Sequence, residues 1–297
     1  MADNWPALPL SEWRDTYVTL HMWTQVVGKV ALALTPRVNH FWNVAFLLTS
    51  RGFSTHPLTS AGRTLTIVFD FIDHELVIHC SDGAIDTLPL QPRSVAAFYR
   101  DVMARLRALG VDVRIWPMPV EVPDPIRFDQ DDRHASYDRE AVGRFWRAMV
   151  AMRPVFEQFR ARFIGKSSPV HFFWGSFDLA STRFSGDRAP ERPGADAITR
   201  EAYSHAVISH GFWPGGGSIE EPVFYAYAAP EPAGFSSAPI RPAAGRYDRQ
   251  MSEFFLPYDA VRRTPDPPRA LMEFLETTYD AGANLAGWKR QELERRL

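Results

Sequence analysis

The sequence predicts an α+β protein, with mostly antiparallel sheet and amphipathic helices packed on it. Three observations carry that expectation. Segments with strand character come in runs, and helical stripes follow the runs instead of alternating with strands. Residues 65–71 and 75–80 alternate apolar and polar and are joined by a tight turn at Asp73-His74, which reads as a hairpin. No Gly-x-Gly-x-x-Gly follows a strand and no phosphate-loop motif is present, so the doubly wound nucleotide folds lose support.

The elements follow in order. Residues 1–16 read as an arm or short helix, with Ser11 as N-cap and Trp13 and Tyr17 as anchors. Residues 17–21 are β-prone. Over 26–34, Val26, Gly28, Val30, Leu32 and Leu34 share one face of an expected strand. Residues 41–49 are nearly all apolar and read as a central strand buried on both faces. In the hairpin, Leu65, Ile67, Phe69 and Phe71 share a face, as do Leu76, Ile78 and Cys80. Residues 94–109 form a helix, capped by Ser94 and striped by Val95, Phe98, Val102, Leu106 and Leu109, with Gly110 as its stop. A strand is expected over 111–115, and the four prolines of 117–135 indicate a long loop. The hairpin and the strands at 26–34 and 41–49 are expected to form one antiparallel sheet under helix 94–109.

A second helix runs over about 138–163, where Val142, Phe145, Met149, Phe156, Phe159 and Phe163 recur at helical spacing. Pro154 lies inside it and predicts a kink or a break. Strands are expected at 170–177, 203–209 and 223–227, the last two around Gly215-Gly-Gly217. Residues 184–197 and 229–247 are rich in proline and glycine and read as loops. A helix closes the chain over about 268–295. Residues 1–297 are expected to form a single compact domain, built from two β-then-helix halves at about 17–115 and 138–295. A faint internal echo links His40-Phe-Trp42 with His171-Phe-Phe-Trp174 and suggests a weak duplication.

Composition narrows the function. The chain has 297 residues, with a net charge of −2, so nothing points to nucleic acid or to an anionic membrane surface. No apolar run approaches 18 residues, and Met1-Ala-Asp-Asn-Trp-Pro6 does not resemble a secretion signal. Cys80 is the single cysteine and has no internal disulfide partner. The expected location is therefore the cytoplasm. Cys80 alternates with Leu76 and Ile78, which predicts a buried, unreactive thiol. Aromatic residues make up 13%, and many share their neighbourhood with His, Asp and Arg, the mixture from which ligand pockets are built.

Several segments carry a family resemblance. They are Thr19-Leu-His21, Gln25-Val-Val-Gly-Lys29, Asn39-His40, Arg51-Gly52, Phe69-Asp-Phe71 with His74, and Ser81-Asp-Gly83. To these add Ser168-Pro-Val-His-Phe-Phe-Trp-Gly-Ser-Phe-Asp-Leu179, Thr182-Arg-Phe-Ser-Gly186, Thr199-Arg-Glu-Ala-Tyr-Ser-His205 and Gly211-Phe-Trp-Pro214. Together they resemble a bacterial family, the domain-of-unknown-function family 5996, over roughly residues 10–290. The resemblance implies membership and no activity. It also implies an acidic residue after Tyr203-Ser-His205, where this chain has Ala206.

The densest chemistry lies between His171 and Arg183. A continuous strand over 170–178 places His171, Phe173, Gly175 and Phe177 on one side and Phe172, Trp174, Ser176 and Asp178 on the other. Arg183 follows and is expected either to pair with Asp178 or to bind an anion. His171, Asp178 and Arg183 are thus the candidate catalytic residues. Trp42, Trp174, Ser176, His21, His40, His205 and Trp213 are the candidate ligand contacts. No histidine spacing forms a metal signature and no cofactor is indicated. The resulting expectation is a soluble, pocket-containing protein, an enzyme acting on a small anionic or aromatic molecule. The alternatives are a non-catalytic small-molecule binding or sensing protein, and a protein-interaction module.

Overall fold

The computed structural model describes residues 4–295. They divide into two compact units, one of residues 9–150 with 172–177, the other of residues 4–8, 151–171 and 178–295. Two antiparallel six-stranded sheets and the helices around them confirm the α+β class.

The first unit opens with helix α1 (Arg14–Leu34), followed by strands β1 (Leu47–Leu48), β2 (Gly52–Ser54), β3 (Leu58–Ser60), β4 (Arg63–Asp70), β5 (Glu75–Cys80) and β6 (Ile85–Pro89), and helix α2 (Val95–Ala108). The sheet runs β1-β2-β4-β5-β6, with β3 also paired to β4. The predicted hairpin is β4–β5. Its register sets Leu65 opposite Cys80, Ile67 opposite Ile78 and Phe69 opposite Leu76, so one face is uniformly apolar and buried. His74, with φ 57°, takes the left-handed position in the turn. On α2, the Ser94 hydroxyl accepts from the Ala97 amide at 3.2 Å, and Val95, Phe98, Val102 and Leu106 are buried. Gly110 leaves the helix at φ 74°, a conformation that favours glycine. The Phe98 ring reaches the sheet at Phe69 (6.4 Å, 17°) and stacks on Trp23 of α1 at 4.7 Å.

Three expectations fail here. Residues 17–21 and 26–34 are not strands; both lie in α1. Every residue from Tyr17 to Ala31 except Val18 is buried, so alternation carries no information there. The spacing of Leu20, Trp23, Val27, Val30 and Leu34 is helical, and 21 residues pass without a turn signal. Residues 41–49 are not a central strand: His40 (φ 59°) and Phe41 (φ 56°) form a tight left-handed turn, and pairing starts only at Phe46, in an isolated bridge to Phe172, ahead of the two-residue β1. Residues 111–115 belong to no strand. The sheet beneath α2 is therefore built from the hairpin and short strands the pattern did not mark.

Helix α3 (Arg139–Ala161) belongs to the first unit up to Val150 and to the second from Ala151. It is one helix despite Pro154, not two. The second unit continues with β7 (His171–Phe173), β8 (Asp178–Arg188), α4 (Ala197–Ala202), β9 (His205–Trp213), β10 (Val223–Ala229), β11 (Arg246–Asp248), β12 (Glu253–Pro257), α5 (Tyr258–Arg262), α6 (Pro267–Leu285) and α7 (Arg290–Leu293). Its sheet runs β11-β12-β10-β9-β8-β7. The expected strand over 170–177 stops at Phe173, and Phe177 at φ 61° turns the chain back into β8. The closing helix ends at Leu285, because Gly287 (φ 66°) reverses the chain, and a short α7 follows. The two echoing segments differ in structure: His40 lies in a left-handed turn and His171 in a strand.

Candidate functional site

In the second unit, strand register sorts the side chains into two faces. Ser181 lies opposite His210, and Leu179 opposite Phe212. These residues share a face with Arg183, Phe224 and Leu256. Helix α6 covers that face, through Thr278 Oγ1 at 3.1 Å from His210 Nε2. The opposite face carries Asp178, Thr182, Ser209, Gly211, Trp213, Tyr225, Tyr227 and Glu253.

That second face holds a connected polar and aromatic cluster. The Tyr225 hydroxyl donates to Asp178 Oδ2 at 2.5 Å. Tyr225 and Tyr227 stack at 6.1 Å and 17°. The Tyr203 hydroxyl donates to that of Tyr227 at 3.2 Å, and the Thr182 and Ser209 hydroxyls lie 2.8 Å apart. Gly211 makes this packing feasible. A β-carbon there would collide with the Tyr225 ring and the Leu179 carbonyl, so the missing side chain lets the tyrosine lie across the strand.

The electrostatics of this face are unusual. Burial, and then the charges of Asp178 and Asp248, raise Glu253 from 4.5 to about 7. Tyr225 is pushed well above its ordinary value by burial and then by Asp178. Tyr227 is pushed up by burial and by Tyr203. The tyrosines are thus neutral donors, and Glu253 exchanges its proton near neutrality.

Of the candidate residues in this unit, Asp178 and Trp213 share this face. Arg183 does not. Five residues from Asp178 along β8, it projects from the other side of the sheet, and the expected Asp178–Arg183 pair does not form. Its guanidinium donates to the Phe159 carbonyl and lies 3.5 Å from the Phe159 ring, 4.2 Å from Tyr279 and 5.2 Å from Phe163. Burial lowers it to about 10, against the raising effect of Tyr279 and Glu294. His171 is buried on β7, next to β8. His205 begins β9, with Nδ1 3.0 Å from the Ser204 hydroxyl. Tyr225, Tyr227 and Glu253 were not foreseen. An alternating Tyr-Ala-Tyr in a strand was the available signal, and Glu253 had none.

In the first unit, His21, Gln25 and Gly28 of α1 receive the turn at 174–175. His21 Nε2 donates to the carbonyls of Trp174 at 3.0 Å and Gly175 at 2.8 Å. Burial holds His21 down at about 4, against these two hydrogen bonds. Gln25 clasps Val120, its amide donating to the carbonyl at 2.7 Å and its oxygen accepting from the backbone N–H at 2.8 Å. The Trp174 indole donates to the Val44 carbonyl at 2.8 Å and lies flat on Gly28. His40 and Trp42 have ring centroids 5.3 Å apart, and Ser176 is exposed. The structure gives His21 and Trp174 positioning roles in the backbone of this unit. Among the described residues no three His, Cys, Asp or Glu side chains gather to hold a metal ion.

No curated protein and no solved structure matches the chain. A family of unknown function, DUF5996, matches it over residues 5–295, nearly its whole length, and the chain belongs to that family.

Proposed function

We propose that the protein is an enzyme acting on a small, uncharged, aromatic or hydroxyl-rich molecule at the Asp178–Tyr225–Glu253 face of the second sheet. The observation that carries this reading is Glu253, a carboxyl raised to about 7 on the same face as a tyrosine–aspartate pair. A group that titrates near neutrality serves as general acid in one step and base in the next. The Tyr225 and Tyr203 hydroxyls give their hydrogens to Asp178 and Tyr227 and so offer neutral acceptor oxygens, and Trp213 and the stacked tyrosines offer flat apolar surface. An anionic substrate fits less well than the sequence suggested. Two carboxylates on this face repel it, and Arg183 is enclosed by rings on the opposite face. The lone buried Cys80 is consistent with a cytoplasmic home, and no helix of the described residues is long and apolar enough to cross a membrane.

The test is a screen of small aromatic alcohols, phenols and sugars by thermal shift, followed by turnover assays on those that bind. Tyr225→Phe and Asp178→Asn are expected to remain folded and to lose binding at least tenfold. Glu253→Gln is expected to keep binding and to lose turnover. Binding unaffected by all three variants would overturn the site; binding without turnover by the native protein would leave a receptor in place of an enzyme.

A further inference from the structure

Beneath α6, on the face of the sheet away from the proposed site, three buried polar atoms have no protein partner: Ser181 Oγ, His210 Nδ1 and Arg183 Nε. Register brings them together. Ser181 and His210 are direct cross-strand partners, and Arg183 stands two residues along β8 on the same face. The Phe159 ring touches both ends of the group, edge-on to His210 at 4.8 Å and 3.5 Å from the Arg183 guanidinium.

The hydrogen-bond roles follow from Thr278. Its hydroxyl has one hydrogen, donated to the Phe274 carbonyl at 2.6 Å. Thr278 Oγ1 therefore accepts from His210, which places the imidazole proton on Nε2. Burial and the Arg183 charge keep the ring neutral. Nδ1 is then a bare lone pair facing into the core. Arg183 Nε is a donor, and Ser181 Oγ is both donor and acceptor.

One donor, one acceptor and one hydroxyl make a complementary set for a molecule that both donates and accepts. An anion would meet the Nδ1 lone pair, and a cation would meet the Arg183 charge. We propose that an ordered internal water occupies this position, donating to His210 Nδ1 and bonded to Ser181 Oγ and Arg183 Nε. Buried waters of this kind typically make about three hydrogen bonds to otherwise unpaired groups. The water ties β8 and β9 to each other and, through the His210 ring, to α6.

A crystal structure of the full chain at a resolution that shows ordered waters tests this directly. The expected result is one water within hydrogen-bond distance of His210 Nδ1 and at least one of the other two atoms. A direct Ser181–His210 bond, or dry contact around Nδ1, would overturn it. In solution, oxygen-17 relaxation dispersion is expected to detect a long-lived internal water that disappears in Ser181→Val, whose added methyl fills the space. A long-lived signal that persists undiminished in that variant would also overturn the assignment. Ser181→Ala, which folds with less perturbation, is expected to keep the water on its two remaining partners.

Discussion

Two titratable groups, the buried His21 and the partly buried Glu253, pull the pH dependence of stability in opposite directions. Glu253 has its folded pKa raised from 4.5 to about 7. Below 4.5 the carboxyl is neutral in both states. Between 4.5 and 7 the unfolded chain ionises first, so stability falls as pH rises through that window. Glu253→Gln is expected to flatten the fall. Urea melts at pH 5 and pH 8 should differ less in the variant, by up to about 3 kcal/mol. His21 is the reverse case, with its folded pKa depressed from 6.5 to about 4. Its contribution is complete above 6.5 and is lost as pH falls toward 4, because the unfolded ring takes a proton that the folded ring refuses. His21→Gln can still donate to the Trp174 or Gly175 carbonyl. It is expected to reduce the loss of stability between pH 7 and pH 4.5, read from denaturant midpoints, without unfolding the protein. Sequence reasoning found His21 as a candidate but not its role, because a ring clamped on backbone carbonyls from 153 residues away leaves no local pattern.

At the scale of elements, Gly28 separates propensity from packing. Alanine in place of a mid-helix glycine ordinarily stabilises by about 1 kcal/mol. In α1 the added β-carbon would enter the Trp174 ring, so the sign reverses. Gly28→Ala is expected to lower stability by about 1–3 kcal/mol, measured by thermal melting, and Trp174→Ala in the same chain should relieve part of that penalty. What was legible follows burial pattern. The β4–β5 hairpin and α2 each have one buried and one wet face, so their periods stand out. Helix α1 is buried almost throughout, so its sequence shows no one-sided helical stripe. Strands β2, β3 and β11 are three residues long and too short to show a period. Asp178 stands out in the sequence by its rich surroundings, but of the two readings of Arg183 the pairing with Asp178 does not hold. Counting parity along β8 separates it from Arg183, whereas Tyr225 reaches it only after two further strands are in register.

At the scale of the whole chain, the six residues 172–177 belong to the first unit, although the segments on either side of them belong to the second. They supply much of that unit's interior. Phe172 stacks on Phe53 at 4.1 Å and pairs its backbone with Phe46; Phe177 stacks on Phe145 at 5.4 Å. A truncated chain of residues 9–150 therefore lacks Phe172, Trp174 and Phe177, each worth about 3–5 kcal/mol when removed from a core. It is expected to be molten, with strong dye binding and no cooperative melt. A synthetic peptide of residues 168–180, added in excess, should restore part of the cooperative transition.

The same interleaving has a consequence for synthesis on the ribosome. The chain emerges from its N-terminus at about 5–20 residues per second, and domains ordinarily fold in the order in which they appear. Here the early-made unit stays incomplete until residue 177 has cleared the exit tunnel. The N-terminal arm waits longer still, since Trp5 stacks on Tyr258 at 6.0 Å and the Pro6 carbonyl accepts from the Tyr258 hydroxyl at 2.9 Å. Neither unit can therefore close in the order of translation. The nascent chain presents apolar surface through most of its manufacture, and it should depend on ribosome-associated chaperones more than its length alone would require.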